Sequence, residues 1–122
     1  MRISSAESLV MEALWRASPL SAEQIAGQVA EDQQWTEATV KSLLNRLLTK
    51  GAVAADKDGR RYLYRPLIAR GDYVHAESRG LIDRLFEGRL APLVAHFSER
   101  EALTPDDVAE LKRLIAEIDD GR

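Results

Sequence analysis

The sequence predicts a mostly α-helical protein with one small β-hairpin. We expect a winged helix-turn-helix domain over residues 1–68, followed by a C-terminal helical dimerisation arm over residues 69–122. Two observations predict this organisation. Three capped amphipathic helices precede a hairpin within about 65 residues, which is the order of a winged helix. Three further amphipathic segments then follow, too short a stretch to close a core of their own.

Capping residues mark the starts of the first three helices. Ser4 with Glu7, and Ser21 with Gln24, have the spacing of capping boxes, in which each side chain satisfies a free backbone amide. Thr36 is a third N-cap residue, placed directly before an apolar periodic segment. The predicted helices span roughly residues 4–17, 21–31 and 36–50.

A β-hairpin is predicted after the third helix. Its turn is expected at Asp58-Gly59, a pair that tolerates the positive φ angles of a type I′ turn. Tyr62 and Tyr64 alternate on one face of the second strand, and we interpret both as packing against the helices rather than stacking on bases. The predicted strands span residues 53–57 and 60–65.

Three amphipathic helices are predicted after the hairpin. The first spans roughly residues 70–87 and ends at Gly88, and Thr104 followed by Pro105 begins the last. Two apolar faces in about 50 residues would leave much apolar surface in water, so we expect a second copy of the chain to cover them in a homodimer. The residues expected at this interface are Leu81, Leu85, Phe86, Leu90, Leu93, Val94, Phe97, Leu111 and Ile115.

The composition excludes several classes of protein. The chain has no cysteine, which excludes disulfides, thiolate metal sites and cysteine catalysis. Its first apolar stretch, from Leu9 to Trp15, is interrupted by Glu12 and is too short for a signal peptide or a membrane span. We therefore expect a cytoplasmic protein with no membrane insertion.

The two histidines give no evidence of an enzyme. Neither His75 nor His96 belongs to a catalytic motif, and the chain has no glycine-rich phosphate loop. Asp72 and Glu77 near His75 could form a weak metal site, but a solvated helix face is the favoured interpretation. We expect no catalytic residue, no metal and no cofactor.

Charge is distributed unevenly along the chain. The net charge is −3, yet residues 36–65 contain seven basic and three acidic residues, a local charge of +4. Residues 70–122 contain eight basic and twelve acidic residues, a charge of −4. A basic segment joined to an acidic one is typical of a DNA-binding domain carried on an arm that does not touch DNA.

The third predicted helix and the hairpin carry the candidate DNA contacts. Opposite a leucine-rich stripe, the helix has short polar side chains and one arginine, which can enter a major groove. Arg46 could bind guanine in a bidentate manner and Asn45 could bind adenine, whereas the lysines and the hairpin cations suit phosphates. The predicted DNA-binding residues are Thr36, Thr39, Lys41, Ser42, Asn45, Arg46, Lys50, Lys57, Arg60 and Arg61.

The same side chains are also compatible with a function that involves no DNA. Polar side chains opposite a leucine stripe occur on any solvated amphipathic helix, and a basic hairpin tip often protects an edge strand from aggregation. The alternative function is a winged-helix protein–protein interaction module that binds no DNA. A steep dependence of duplex binding on salt would separate the two, since it reflects counterion release from DNA.

Three segments together resemble the BlaI/MecI/CopY penicillinase-repressor family: WTEATVKSLLNRLLTKGAV, DGRRYLYRPL and ESRGLIDRLFEGRLAPLVAHF. The resemblance extends from Ser5 to about Ile118. It implies a homodimer, joined through its C-terminal helices, that binds palindromic TACA/TGTA-type operators in double-stranded DNA and represses transcription. By position it implies that Thr39, Ser42 and Arg46 lie on the recognition helix and that Arg60 and Arg61 lie on the wing.

The resemblance also bears on how repression ends. Copper-sensing members of the family have a cysteine-rich C-terminal tail, and this chain has no cysteine. Members inactivated by a membrane sensor-protease are cut at an Asn-Phe bond in the helical arm. The matching pair here is His96-Phe97, which keeps the phenylalanine and lacks the asparagine. Release by proteolysis of the arm at His96-Phe97 is the expectation that the resemblance implies.

Overall fold

A computed structural model describes residues 2–101 and 103–121, apart from the side chains of residues 30–32. As predicted, the described residues are mostly helical, with a single two-stranded antiparallel sheet. The elements are α1 Ser5–Arg16, α2 Ala22–Gln33, α3 Glu37–Lys50, β1 Val53–Asp58, β2 Arg61–Pro66, α4 Arg70–Phe86, α5 Leu90–Arg100 and α6 Pro105–Asp120.

The predicted capping residues make the expected hydrogen bonds. The Ser4 hydroxyl accepts from the Glu7 backbone N–H at 3.1 Å, and Glu7 Oε1 accepts from the Ser4 N–H at 2.9 Å. Such reciprocal bonds satisfy amides that the first turn of a helix leaves free. Further caps are made by Ser21 with Gln24, Thr36 with Thr39, and Thr104 with Asp107.

The hairpin turn lies one residue later than predicted. Asp58 pairs with Arg61, so the two turn residues are Gly59 and Arg60. Gly59 has a φ of +64°, whereas Arg60 does not have a positive φ. A positive φ at the first turn residue alone is the pattern of a type II′ turn, so the predicted type I′ turn at Asp58-Gly59 is wrong. Pairing of Asp58 in the strand register moves the glycine to the first turn position.

One core holds α1, α2, α3 and the hairpin together. Tyr64 joins β2 to this core and is only 8% exposed. Its backbone makes an isolated antiparallel bridge with Leu20, with N–H to carbonyl distances of 2.7 and 3.0 Å. The bridge holds the hairpin against the segment that leads into α2. The largest fully buried apolar side chains are Met11, Leu14, Ile25, Leu44, Leu47, Val10 and Val40.

The chain divides into two compact units between Val74 and His75, inside α4. The first turn of α4 belongs to the first unit and contacts α1. Trp15 Nε1 donates to the Ile68 carbonyl oxygen at 2.9 Å, and the Trp15 and Tyr73 rings lie 5.4 Å apart. The first unit therefore includes the start of α4 as well as the hairpin.

The second unit buries little apolar surface. Ile82 is its one buried apolar side chain among the described residues, and α5 and α6 have none. Together α5 and α6 line an apolar cavity of about 570 Å³, which we call the arm groove. Its lining residues are Leu90, Ala91, Val94, Ala95, Leu111, Leu114, Ile115 and Ile118. Within the described residues, no helix is long and apolar enough to cross a membrane.

Candidate nucleic-acid interface

Helix α3 has one buried and one exposed face. Val40, Leu43, Leu44 and Leu47 are buried in the core, as the apolar spacing of the sequence predicts. Gly51 ends the helix with a φ of +77°, the left-handed conformation typical of a C-cap glycine. The exposed side chains on the other faces include Thr39, Lys41, Ser42, Asn45, Arg46 and Thr49.

The predicted basic residues differ in whether a carboxylate holds them. Arg46, Lys57 and Arg60 have no ion-pair partner among the residues that the structure describes. Lys41 Nζ lies 3.4 Å from Glu37 Oε1, but both side chains are about half exposed. An exposed pair of this kind is weak, so it leaves the Lys41 ammonium available to another anion.

Lys50 is engaged within the first unit. Its Nζ donates to Glu7 Oε1 at 2.6 Å and to the Arg2 carbonyl oxygen at 2.7 Å. The Glu7 side chain is 2% exposed, so this ion pair anchors the end of α3 to the start of α1. The sequence predicts a phosphate contact for Lys50, but its partner Glu7 is 43 residues away in the chain, so no local pattern reveals the pair.

The Glu7 carboxyl responds to two opposing influences. Burial, the largest single influence, raises its pKa, whereas hydrogen bonds from Lys50 and Ser4 and the Lys50 charge lower it. The combined effect holds the pKa of Glu7 below its ordinary value. The carboxylate is therefore the stable form in the folded protein, with its second oxygen, Oε2, buried without a hydrogen-bond partner among the described residues.

The hairpin of β1 and β2, which we call the wing, has two chemically different faces. On one face Arg65 Nε lies 3.0 Å from Asp56 Oδ2, and Arg61 Nε lies 3.3 Å from Asp58 Oδ2. These four charges form two ion pairs, and all four side chains are about half exposed or more. Lys57 is on the opposite face, because side chains alternate between the two faces along a strand.

A recess separates α3 from the wing. We call this cavity of about 230 Å³ the wing recess. It brings together three of the predicted DNA-binding residues, Lys41, Arg60 and Arg61, with the start of α2. The complete lining is Ser21, Ala22, Glu23, Glu37, Lys41, Arg60, Arg61, Tyr62 and Tyr64.

The two wing tyrosines occupy different environments. Tyr64 is buried, in agreement with its interpretation as a packing residue, whereas Tyr62 is 51% exposed. Tyr62 is therefore only partly packed, because two residues further towards the tip the strand extends beyond the core. Alternation in the sequence places both rings on one face but does not say where the core ends.

Residues 3–117 match the sequence model of the penicillinase repressor family. The chain belongs to this family. The penicillinase repressor of Bacillus licheniformis is 30% identical over 116 residues, which cover 95% of this chain and 91% of that protein. The methicillin resistance regulatory protein MecI of Staphylococcus aureus (strain N315) is 31% identical over 113 residues, 93% and 92% of the two chains.

A solved structure of the Bacillus licheniformis BlaI monomeric form in complex with the blaP half-operator resembles part of the chain. It is 33% identical, has a TM-score of 0.52, and the match covers 60% of this chain and 89% of that chain. Membership of the penicillinase repressor family makes this chain a repressor with a winged-helix domain of the DNA-binding kind, rather than an enzyme.

In this member of the penicillinase repressor family, the arm residues expected at a dimer interface are largely exposed. Leu85, Leu90 and Ile115 are each about 60% exposed. The ring of His96 lies 6.1 Å from that of Phe86 and 5.4 Å from that of Phe97. The remaining expected interface residues, Leu81, Phe86, Leu93, Val94, Phe97 and Leu111, are exposed or half-buried.

Metal binding has no structural support at His75. Within the described residues, no group of three or more histidine, cysteine, aspartate or glutamate side chains is placed to hold a metal ion. Asp72 and Glu77 therefore do not form such a group with His75.

Proposed function

We propose that this chain is a homodimeric, sequence-specific repressor that binds a palindromic operator in double-stranded DNA. Residues 1–68 would read the DNA, and residues 69–122 would form the dimerisation arm. The observation that carries the proposal is the wing recess, where basic side chains of α3 and the wing face one space. A convergent basic surface beside an exposed polar helix face suits a DNA backbone flanking an occupied major groove.

The exposed face of α3 is proposed to read bases. Its exposed side chains include Thr39, Ser42, Asn45 and Arg46. The first three are short enough to lie close to base edges, and the longer arginine can reach them. Arg46, without an ion-pair partner among the described residues, can present its guanidinium to the O6 and N7 atoms of guanine. We therefore assign the largest contribution to sequence preference to Arg46.

The surrounding cations are proposed to bind phosphates. Lys57 and Arg60 have no carboxylate partner within the described residues, and Lys41 has only a weak exposed one. Arg61 pairs with Asp58 in an ion pair as exposed as that of Lys41, so it too can bind a phosphate. Thr36 joins them as a backbone contact at the start of α3. Lys50 is left out because its ammonium is bound to Glu7.

Dimerisation is proposed to occur through the arm. The arm groove and the exposed apolar side chains beside it would remain in water in an isolated chain. Contiguous apolar surface of this kind marks an interaction site. Covering it with the same surface of a second copy gives a closed two-fold assembly. Two half-sites about 34 Å apart then receive two linked recognition helices, as a palindrome requires.

Release is proposed to follow cleavage of the arm by a membrane sensor-protease at His96-Phe97. This bond lies inside α5, where the backbone must open before a protease can bind it. The 11-residue helix is suited to opening, because it is short, buries no residue among those described, and has no side-chain cap at Arg89. Cleavage there would separate α6 from the rest of the arm.

The DNA-binding proposal is tested by comparing Arg46→Ala with Arg60→Ala on operator and random duplexes. Arg46→Ala should weaken operator binding by about 1–3 kcal/mol per half-site and reduce the preference over random DNA. Arg60→Ala should weaken both duplexes alike and lower the salt slope by about one unit per lost phosphate contact. Arg16→Ala, an exposed arginine on α1, is the matched control. Identical effects of both changes on both duplexes would refute the division of roles.

The cleavage proposal is tested in cells by following the length of the protein after the inducing stress. A shortened chain should appear as the target genes are expressed. Phe97→Leu, which keeps an apolar side chain, should stay full length and keep the genes repressed. Full expression of the target genes with only the full-length chain present would refute cleavage.

A further inference from the structure

The wing distributes its charges unequally between its faces. In the register of the hairpin, Lys57 lies opposite Tyr62 and Ala55 lies opposite Tyr64, and directly opposite side chains share a face. Since Tyr64 is buried in the core, this is the face turned towards the helices. The other face carries the two Asp–Arg pairs, and of these residues Arg61, next to the turn, also lines the wing recess.

Tyr62 is the aromatic side chain of the inner face that the core leaves uncovered. It is 51% exposed, and it lines the wing recess together with Lys41 of α3 and Arg60 at the wing tip. With α3 in a major groove, a DNA strand that borders this groove would lie beside the wing. Its phosphates would then meet the Tyr62 ring edge and hydroxyl.

We propose that Tyr62 is a further DNA-binding residue, whose hydroxyl donates a hydrogen bond to a backbone phosphate of the strand that borders the wing recess. The proposal rests on the proposed DNA-binding function. Tyrosine hydroxyls are among the side-chain groups that contact phosphates in protein–DNA complexes. A neutral donor also suits this recess, because Glu23 and Glu37 line it beside the basic residues and reduce its net charge.

A neutral donor has a distinctive effect on binding. Loss of the Tyr62 hydroxyl removes no charge, so the same number of counterions is released when DNA binds. It also reads no base, so operator and random DNA should lose affinity equally. Arg60→Ala should change the salt slope and Arg46→Ala should change sequence preference, which separates the three residues experimentally.

The first test is Tyr62→Phe in the full chain, measured by titration of a duplex with a TACA/TGTA palindrome and of a random duplex of equal length. We expect roughly tenfold weaker binding to both, the lower end of the range for a hydrogen bond to a charged acceptor, with an unchanged salt slope. Thermal unfolding should be unchanged, because the hydroxyl lies on an exposed side chain. Tyr73→Phe, at a tyrosine that packs on Trp15 and does not line the wing recess, is the control and should leave DNA affinity unchanged.

The second test identifies the acceptor. Neutral methylphosphonate groups are placed one at a time along the half-site, and the ratio of unaltered to Tyr62→Phe affinity is measured at each. The tenfold ratio should fall to about one at a single phosphate and persist at the others. A ratio of one on unmodified DNA, or a ratio that no phosphate abolishes, overturns the proposal. If the unaltered chain shows no salt-dependent binding to either duplex, the proposed function is itself overturned and the role of Tyr62 with it.

Discussion

The two compact units are built from similar amphipathic helices and bury them very differently. In the first unit, the apolar face of α3 is enclosed, and Leu44 and Leu47 are completely buried. In the second unit, the apolar faces of α5 and α6 flank an open groove, and Ile115 remains 58% exposed. The apolar spacing of the sequence is equally regular in both units.

The difference shows that an amphipathic pattern indicates that a helix face will be covered, but not by what. The first unit supplies its own cover, since three helices and a hairpin meet around one core. The second unit has too few elements to enclose its own apolar side chains. We propose a second copy of the chain as their cover, and this contrast between the units can be tested by mutation.

The largest effect is expected from removing the second unit. A chain ending at Val74 keeps Tyr73 on Trp15 and should fold as a monomer. Its affinity for a two-half-site operator should fall by a factor of about 10²–10⁴, because linkage of the two reading domains is lost. Sedimentation and DNA titration measure the two changes.

A duplex with one half-site is the control for that experiment, since a single reading domain suffices for it. The full and shortened chains should bind it with similar affinity. A full-length chain that sediments as a monomer at micromolar concentration would contradict the proposed role of the second unit.

Core substitutions should separate the units by their dependence on protein concentration. Leu44→Ala removes a fully buried side chain and should lower the free energy of unfolding of the first unit by about 2–5 kcal/mol at any concentration. Ile115→Ala should act through the dimer, so its effect should shrink as the protein concentration rises. Denaturant unfolding at two concentrations checks both expectations. A concentration-independent loss from Ile115→Ala would indicate that the arm core closes within one chain.

Ion pairs should stabilise folding more strongly in the first unit than in the second. Lys50→Ala leaves the buried Glu7 carboxylate without its cation and should lower the free energy of unfolding by about 1–3 kcal/mol, reduced by the partial exposure of Lys50. Arg113→Ala in α6 breaks exposed pairs with Glu110 and Glu117, and should change it by less than about 1 kcal/mol. Equal reductions in the free energy of unfolding would show that burial of Glu7 does not strengthen its ion pair with Lys50.

The smallest effect is expected on the stability of the first unit at acidic pH. Because the folded pKa of Glu7 is lowered, its ionisation stabilises the first unit above its unfolded pKa of about 4.3. This contribution is lost as the pH falls through the lower, folded pKa, where the carboxylate takes up a proton. The thermal midpoint of Glu7→Gln should therefore depend less on pH than that of the unaltered chain in this acidic range. Parallel pH profiles would contradict the assignment.

The candidate site was predictable as far as its side chains depend on their own helix. Exposure of Asn45 and Arg46 follows from the period of α3, and the sequence places them opposite the leucine stripe. The partner of Lys50 and the exposure of Tyr62 were not predictable. Lys50 binds Glu7 of α1, which is remote in the chain, and the exposure of Tyr62 depends on where the core ends along β2.

Local interactions explain what the sequence by itself determined. The helix starts depend on capping bonds between residues three apart, so Ser4, Ser21, Thr36 and Thr104 could be identified without any tertiary structure. The order of elements and the exposed polar face of α3 follow from the same short-range patterns.

The tertiary structure decided how these elements use their surfaces. Strand pairing placed the turn at Gly59 and Arg60, and the same register brought Arg61 opposite Asp58. Packing of α1 against the end of α3 brought Lys50 to Glu7 across 43 residues of chain. Such contacts depend on which elements meet in space. A periodic apolar pattern shows which face of a helix will be buried, but not which element will pack against it.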